Sequence, residues 1–396
     1  MLPITSLLSC TAPIDELECF STRQKYHAKT YVTGLVAASN KTVEGISIHV
    51  LPAKSERALN KFLTEYNWDT GQLNRERLAL LQAHNETAWS REGVVIIDDT
   101  FTHKTGKRIP NVGKFYDHTK RGYIWGQNLI YALYADEKTT YPLSFRLYEK
   151  NAKTRIESTI DLVDELKEIG VPADTYLFDI SYCSEAFVTY FESYHKQWVS
   201  AVKSDTRVTY AGERIRVDAL AQRIRKVKRT IGEETYHIWT QKRDVARLGE
   251  VKLLITEKES DDSSEDGEDE DEPSVKYIVS NKIDAKASHL ILLYAMRWRI
   301  ETFFRDTKQD LGLGACELRH AAGASRHWHL LMLAYCLLKL GIADSALRTV
   351  ISRASSLRND VKRSFRETVQ NLLSWALSSE HRNIDQLMQE IEVLFV

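Results

Sequence analysis

Two short apolar runs that each end in aspartate constrain the fold of this chain more than any other feature. The first is "VVIIDDT" at residues 94–100, and the second is "TYLFDIS" at residues 175–181. Apolar runs of this length are typical of strands buried on both faces. A carboxylate at the end of such a strand is costly unless something compensates it. The pattern predicts two neighbouring core strands that set Asp98 or Asp99 close to Asp179.

Strand and helix patterns alternate around these runs. "YIWGQNLIYALYAD" and "TTYPLSFRLYE" are rich in aromatic and β-branched residues and predict a hairpin or meander. "KTRIESTIDLVDELKEIG" predicts a helix that ends at Gly170, "SEAFVTYFESYH" predicts a second helix, and "QWVSAVKS" predicts a strand. Strands that alternate with helices predict an α/β fold, with a mixed sheet and helices packed on it.

The ends of the chain are mainly helical in pattern. "SERALNKFLTEY" and "NRERLALLQAHN" indicate a small N-terminal helical domain, with Asn74 as a possible N-cap of the second helix. Such a domain is either a helix-turn-helix DNA reader or a plain packing domain. The resulting division is 1–90 (helical), 91–203 (first part of the core), 204–285 (a β-rich insertion), 286–340 (second part of the core) and 341–396 (C-terminal helical region).

An acidic run lies inside the predicted insertion and hides the charge of the rest of the chain. The run "ESDDSSEDGEDEDE" holds 10 of the 55 acidic residues, and without it the remaining 45 face 54 Lys and Arg, a balance of +9. Such a run cannot pack, so 259–273 is predicted to be a disordered loop between the paired strands "VKLLITEK" and "VKYIVSN". The basic remainder fits a polyanionic partner as well as it fits an unliganded surface.

The stretch "YAMRWRIETFFRDTKQDLGL" at residues 294–313 belongs to a predicted helix over residues 287–311. At roughly 100° per residue, four polar side chains fall within an arc of about 60°, with Arg305 beside it. These four are Tyr294, Arg297, Glu301 and Lys308. The stripe is either an ordinary solvated face with an Arg297–Glu301 pair or a functional surface.

The acidic residues together suggest a metal site. Glu301 could join Asp98 or Asp99 and Asp179, although each aspartate alone could be a turn or helix cap. Hard oxygen ligands favour Mg²⁺, or Mn²⁺ as its substitute, and two such ions support in-line phosphoryl displacement. Nucleases, polymerases and DNA strand-transfer enzymes use this chemistry. Cations on the same stripe would contact DNA phosphates, with Arg297 making fork-like contacts and Lys308 acting as a point charge.

The spacing of the stripe resembles a known signature. Tyr294, Arg297, Glu301 and Lys308 are similar to the Tyr-Arg-Glu-Lys signature of DDE transposases in the IS-four family of bacterial insertion sequences. "IIDDT" and "LFDIS" resemble that family's two aspartate motifs, and the resemblance covers about residues 93 to 340. The family pattern Asp-x-Thr/Ser favours Asp98 as the first aspartate, and an ungapped reading favours Asp99.

The resemblance implies an RNase H-like catalytic core with the β-rich insertion between the second aspartate and the glutamate helix. It also implies a cut-and-paste transposase with Mg²⁺-dependent endonuclease activity at element ends, attack by the freed 3′-hydroxyl on target DNA, and often a hairpin intermediate. The implied partners are terminal inverted repeats and target DNA, bound by a synaptic homodimer. Trp239 would stack on a flipped base or serve as a core tryptophan, and Arg319 would contact DNA or form an ion pair.

Two other functions fit the same residues. One is a captured transposase that binds DNA without cleaving it, and the other is a metal-dependent DNA nuclease on the same core. The five cysteines are far apart and odd in number, which predicts reduced thiols. The start of the sequence lacks a basic segment, and the longest apolar run is too short for a bilayer. A cytoplasmic, nucleoid-associated protein without membrane contact is therefore expected.

Overall fold

A large mixed sheet lies at the centre of the fold. The structure is a computed structural model that describes residues 3–117, 121–259, 275–343 and 357–377. Within these ranges the strands are β1 (Val94–His103), β2 (Gly113–Asp117), β3 (Gly122–Ala135), β4 (Thr140–Leu147), β5 (Thr175–Phe178), β6 (Gln197–Ala201), β7 (Arg207–Tyr210), β8 (Glu213–Arg216), β9 (Val227–Ile231), β10 (Glu234–Val245), β11 (Gly249–Lys258) and β12 (Val275–Ser280). The strand order is β2-β3-β1-β5-β6-β12-β11-β10-β7-β8, with β4 paired to β3 and β9 paired to β10.

The centre of the sheet matches the predicted α/β fold. β1, β5 and β6 are parallel neighbours, whereas β3 and β4 form an antiparallel hairpin on the other side of β1. The first four residues of β1 are buried, as the apolar run predicted. β12 pairs antiparallel with β6, so the strands of the predicted insertion continue the same sheet.

The strands on either side of the acidic run pair as predicted. β11 and β12 are antiparallel neighbours over six residue pairs. The predicted loop at 259–273 lies outside the described residues except for Glu259, whose carboxylate is 2.7 Å from the Lys228 ammonium on β9. The acidic run therefore begins beside the basic strand "VKRTI".

Helices cover the sheet and build the terminal regions. They are a 3₁₀ helix (Ser9–Glu16), α1 (Thr22–Ala37), α2 (Val43–His49), α3 (Glu56–Thr64), α4 (Thr70–Gln82), α5 (Arg155–Ile169), α6 (Glu185–Ser193), α7 (Val217–Arg223), α8 (Ala287–Met296), α9 (Trp298–Asp310), α10 (Ala321–Ala343) and α11 (Leu357–Leu377). α5 ends at Gly170 in the left-handed conformation (φ 85°), as predicted.

The N-cap predicted for the fourth helix was wrong. α4 begins one turn earlier, where the Asp69 carboxylate accepts a 2.5 Å hydrogen bond from the backbone N–H of Gln72. Asn74 instead lies inside the helix and is buried, and its Nδ2 donates to the carbonyl of Leu143 at 3.0 Å. Asn74 therefore ties α4 to the sheet.

The helix predicted over residues 287–311 is two helices that meet at Arg297. The backbone of Arg297 stays in the right-handed helical region (φ −55°, ψ −33°). Its N–H donates to the Tyr294 carbonyl, and the Ile300 N–H donates to the Arg297 carbonyl, each at 3.1 Å. Both bonds span three residues instead of four, which tightens the chain locally. Arg297 therefore occupies the junction between α8 and α9.

The N-terminal helices share a core with α10. α1, α3 and α4 pack against α10, and the Tyr31 hydroxyl lies 2.9 Å from His327 Nδ1. The Arg326 guanidinium donates to the carbonyls of Leu63 and Trp68 at 2.9 Å. Although α10 is long and apolar, no helix in the described ranges meets the length and hydropathy needed to cross a bilayer.

Two buried histidines in α10 predict that acid destabilises the fold. Burial lowers the pKa of His327 to about 3 and that of His329 to about 4. The unfolded chain binds protons on these histidines below about pH 6.5, so stability falls as the pH drops below that value. At about pH 5 we expect a loss of about 2 kcal/mol per histidine. Urea denaturation at neutral and acidic pH measures this loss.

His329→Gln should flatten this acid dependence by about half, because glutamine does not titrate. His103→Gln, which replaces an exposed histidine, is the matched control and should leave the pH dependence unchanged. An equal acid dependence in the wild type and in His329→Gln would contradict the assignment to buried histidines.

Candidate active site

Parallel pairing of β1 and β5 brings two aspartates together. Ile97 lies beside Phe178 in the β1–β5 register, and Asp179 directly follows the end of β5. Asp98 follows Ile97 inside β1, which continues to His103 instead of ending at the aspartates as predicted. Burial, and after it the neighbouring carboxylates of Asp99 and Asp179, raise the pKa of Asp98 to about 8, against the opposing effect of Arg297. Ionised Asp98 is therefore costly at this place in the sheet, because Arg297 only partly offsets burial and the two neighbouring carboxylates.

Arg297 links Asp98 to the glutamate of α9. Its Nη1 is 3.4 Å from Asp98 Oδ2, and its Nη2 is 2.6 Å from Glu301 Oε1. The Arg297 side chain is 14% exposed, so the bridge is largely shielded from water. A bridge between two acids on different elements differs from the ordinary solvated i, i+4 pair that remained possible from the sequence.

Aromatic packing sets the position of α9 over Asp98. Tyr131 on β3 is directly opposite Asp98 and therefore shares its face of the sheet. The Tyr131 ring lies 5.3 Å from the ring of Phe303 and 5.9 Å from that of Phe304, both on α9. Since these contacts hold the buried side of α9 against β3, Glu301 in the first turn of α9 lies near Asp98 in the middle of β1.

Asp99 points to the opposite face of the sheet, because successive residues of a strand alternate. Its Oδ1 accepts hydrogen bonds from the Tyr182 hydroxyl at 2.8 Å and from Arg155 Nη1 at 3.1 Å. Its Oδ2 accepts a hydrogen bond from Asn128 Nδ2. The structure therefore groups Asp98, Asp179 and Glu301 around Arg297, whereas the hydrogen bonds of the adjacent Asp99 carboxylate are all on the other face of the sheet.

The three partners of Asp99 were not identified from the sequence. Arg155 begins α5, and Tyr182 follows β5 in the turn that also contains Asp179. No short motif links these residues to Asp99, because they are far apart in sequence and meet only through the sheet. The alternation of strands and helices predicts that helices such as α5 pack on the central strands, but it does not identify these three residues.

The other residues predicted to contact DNA differ in their position and exposure. The Tyr294 ring adjoins the site, with its centroid 5.8 Å from the Arg297 guanidinium carbon. Arg305 and Lys308 are exposed on α9, where Arg305 also approaches Asp306 at 3.4 Å. Arg319 is exposed in the segment between α9 and α10.

Trp239 is not part of this group. It lies on β10, five strands away from β1, which is about 24 Å across a sheet at the usual strand spacing. The ring is half-buried, 5.7 Å from the Arg243 guanidinium carbon and 6.3 Å from the Tyr210 ring. The ring is therefore less buried than a core tryptophan and less exposed than an open stacking platform.

The carboxylates have the chemistry of a divalent-cation site, but they are not gathered into one. In the described ranges, no group of three or more His, Cys, Asp or Glu side chains is placed to hold a metal ion. Asp98, Asp179 and Glu301 supply the hard oxygen donors that Mg²⁺ and Mn²⁺ prefer. The raised pKa of Asp98, caused first by burial, means that the ionised carboxylate would gain from a further cation beside it. A divalent cation would therefore compete with Arg297 for Asp98 and Glu301.

Several solved structures are similar to all or part of this chain. Among solved structures, a piggyBac transposase synaptic complex with hairpin DNA is similar at 11% identity and a TM-score of 0.49, over 98% of this chain and 81% of that one. The Drosophila P element transposase strand transfer complex is similar at 10% identity and a TM-score of 0.26, over 51% and 49%. Endonuclease V from Bacillus subtilis is similar at 11% identity and a TM-score of 0.26, over 62% and 96%. TM-scores in this range carry no conclusion about fold or function.

A family match carries more weight. No curated protein matches the chain. Residues 89–337, more than half of the sequence, match the family described as the transposase DDE domain. The match includes β1, β5 and α9, the three elements that carry Asp98, Asp179 and Glu301. The chain therefore belongs to the transposase DDE domain family.

Proposed function

We propose that this protein is a cut-and-paste DNA transposase of the IS-four type. It cleaves DNA at the ends of an insertion sequence and joins the freed 3′-hydroxyl to target DNA. The observation that carries the proposal is the grouping of Asp98, Asp179 and Glu301 around Arg297 in a chain of the transposase DDE domain family. The parallel strands β1, β5 and β6, with β3, β4 and their helices, are the proposed RNase H-like core.

Asp98, Asp179 and Glu301 are the proposed ligands of two Mg²⁺ ions, with Mn²⁺ as a substitute. Bound divalent ions would activate the attacking oxygen and neutralise charge on the phosphate that is cleaved. Asp98 is the proposed first carboxylate because it faces α9, whereas both oxygens of Asp99 accept hydrogen bonds on the other face. Asp99 is proposed as a positioning residue that fixes the end of β1 against α5 and the β5 turn.

Arg297 has two proposed roles. Without DNA, its guanidinium partly neutralises Asp98 and Glu301 and keeps them near each other. When cations occupy the carboxylates, the guanidinium becomes available for fork-like hydrogen bonds to a DNA phosphate. Tyr294 would donate a hydrogen bond to the same strand, because its ring adjoins Arg297.

The remaining predicted contacts extend outward from the site. Arg305, Lys308 and Arg319 are exposed cations suited to DNA phosphates, and they would position the duplex without reading its sequence. Trp239 lies on β10 of the insertion, far across the sheet from the carboxylates. It is therefore proposed to contact DNA away from the point of cleavage. Residues 1–90 are proposed to bind DNA, and two copies of the chain are proposed to pair the inverted repeats, with a hairpin intermediate, in the cytoplasm at the nucleoid.

Metal-dependent cleavage of a DNA duplex that carries the element's own ends tests the proposal. We expect Mg²⁺ or Mn²⁺ to support cleavage with 3′-hydroxyl products mapped to the ends, and EDTA to abolish it. Added target plasmid should receive the cut ends, which separates a transposase from a nuclease. Binding without cleavage in the presence of either metal would favour the captured DNA-binding protein.

A further inference from the structure

An exposed aromatic surface lies on the hairpin formed by β2 and β3. Lys114 is opposite Trp125 and Tyr116 is opposite Tyr123, so all four side chains share one face of the hairpin. We call these four residues the hairpin face. Tyr123 is 66% exposed, Tyr116 43% and Trp125 38%, unlike the buried aromatic residues of the rest of β3.

The four side chains contact one another in a defined arrangement. The Lys114 ammonium lies 4.5 Å from the centroid of the Tyr123 ring. The Tyr116 and Tyr123 rings meet nearly edge to face, with centroids 5.3 Å apart. The arrangement combines ring surface with positive charge on the outside of the protein.

The opposite side of the hairpin anchors it to the sheet. The Phe115 ring lies 5.4 Å from the ring of Phe101 and 6.2 Å from that of Tyr148. The Lys150 ammonium donates to the Lys114 carbonyl at 3.3 Å. Because Phe115 supplies the packing, the aromatic rings of the hairpin face are not needed to hold the hairpin in place.

The hairpin face lies on the same side of the sheet as the candidate active site. Asp98 is opposite Tyr131, and the alternation of side chains along β3 carries this face through Leu129 and Gln127 to Trp125. The backbone carbonyl of Trp125 accepts a hydrogen bond from the backbone N–H of Lys104, which is six residues beyond Asp98. Six residues of strand span about 20 Å, which is about six nucleotide steps of DNA.

The charge around the hairpin favours a nucleic acid over a protein partner. Lys107, Arg108, Lys114 and Arg121 are exposed cations, and the sequence of residues 100–125 has a single acidic residue, Asp117. Lysine is depleted in the cores of protein interfaces, whereas exposed rings among cations are characteristic of surfaces that bind single-stranded nucleic acid. Duplex DNA keeps the faces of its bases inside the helix, so exposed rings gain little from it.

We propose that the hairpin face binds unpaired DNA, with Tyr123 and Trp125 stacking on bases and Lys114 contacting the backbone. This inference rests on the proposed function, since it places the single-stranded segment next to the DNA that the carboxylate site cuts. The surface would hold a strand that has separated from its partner about six nucleotides from the cleavage point. Stacking on a ring tolerates any base, so this site would bind without sequence preference.

Fluorescence anisotropy with the full chain tests the proposal. The probes are a labelled oligothymidylate about 20 nucleotides long and a blunt duplex of the same length. The double variant Tyr123→Ala/Trp125→Ala should bind the oligothymidylate about tenfold or more weakly than the wild type, with affinity for the duplex changed by less than about twofold. The variant Tyr123→Phe/Trp125→Phe should retain binding because it keeps the rings.

Tyr194→Ala is the matched control. Tyr194 is 52% exposed and also has a lysine against its ring, with the Lys167 ammonium 3.2 Å from the centroid, but it lies at the end of α6. Its replacement should leave both affinities unchanged. Equal thermal melting of all variants shows that the fold is retained.

Two outcomes would overturn the inference. Unchanged binding of the oligothymidylate by the double alanine variant would exclude the hairpin face as a stacking site. An equal loss of affinity for the oligothymidylate and the duplex would identify a general DNA backbone contact instead. Neither result depends on DNA cleavage. The stacking proposal could therefore fail while the metal-dependent cleavage is confirmed. Conversely, a protein that does not cleave DNA could still bind unpaired DNA by stacking.

Discussion

Glu301→Gln should lower the rate of end cleavage by about a hundred- to a thousandfold. The amide keeps the shape of the carboxylate and can still hydrogen bond to Arg297, which now lies 2.6 Å from Glu301. It removes the negative charge that a divalent cation needs as a ligand. Asp98→Asn should have an effect of similar size for the same reason. Denaturing gels of an end-labelled duplex with Mg²⁺ measure the rate.

DNA binding separates a catalytic loss from a folding loss in this experiment. Neither variant adds negative charge or removes a cation, so the affinity of each for the duplex should stay within about threefold of wild type or increase. Glu317→Gln is the matched control, because Glu317 is an exposed glutamate in the segment after α9. Cleavage by Glu301→Gln at a rate close to wild type would place the reaction elsewhere in the chain.

The strands that carry the aspartates could be predicted because their sequence has one dominant pattern. Four apolar residues before Asp98, and three apolar residues and Thr175 before Asp179, are buried in the structure, and both runs lie in strands. The predicted proximity of the two aspartates also follows from local information, since each directly follows the last residue of the parallel β1–β5 pairing, although β1 itself continues to His103. These features depend on the hydrophobic effect acting on short segments.

The choice between Asp98 and Asp99 could not be made from the sequence. Alternation assigns the two residues to opposite faces, but both faces of β1 are covered, so the pattern does not show which face holds the site. The structure separates them through α9 on one side and through Arg155 and Tyr182 on the other. Those contacts join distant segments and leave no local signal.

The junction at Arg297 and the strand β2 were missed for different reasons. The apolar pattern at helical spacing continues from α8 into α9, so the change to shorter hydrogen bonds at Arg297 does not alter it. β2 is five residues long and pairs only with the outer part of β3. A short strand at the edge of a sheet has little burial pattern, and its presence depends on the partner strand.

Asp98→Asn and Asp99→Asn should change thermal stability in opposite directions. Burial and two neighbouring carboxylates raise the pKa of Asp98 to about 8. When a carboxyl group has a raised pKa in the folded state, the fold loses stability as the pH rises from about 4 to about 8. The neutral amide therefore removes the free-energy cost of ionising this buried group at about pH 7.5. We expect Asp98→Asn to raise the Tm by about 2 to 5 °C in EDTA, and by less at about pH 5.

Asp99→Asn should lower the Tm by about 4 °C, because the amide cannot satisfy both Arg155 and Asn128. The loss is moderate because the Arg155 side chain is 34% exposed and water replaces part of the lost interaction. Mg²⁺ should then stabilise the wild type and Asp99→Asn, but not Asp98→Asn, because a ligand that binds only the folded state raises its stability. Equal destabilisation by both variants, or equal stabilisation of both by Mg²⁺, would contradict the assignment of Asp98 to the metal site and Asp99 to the support of β1.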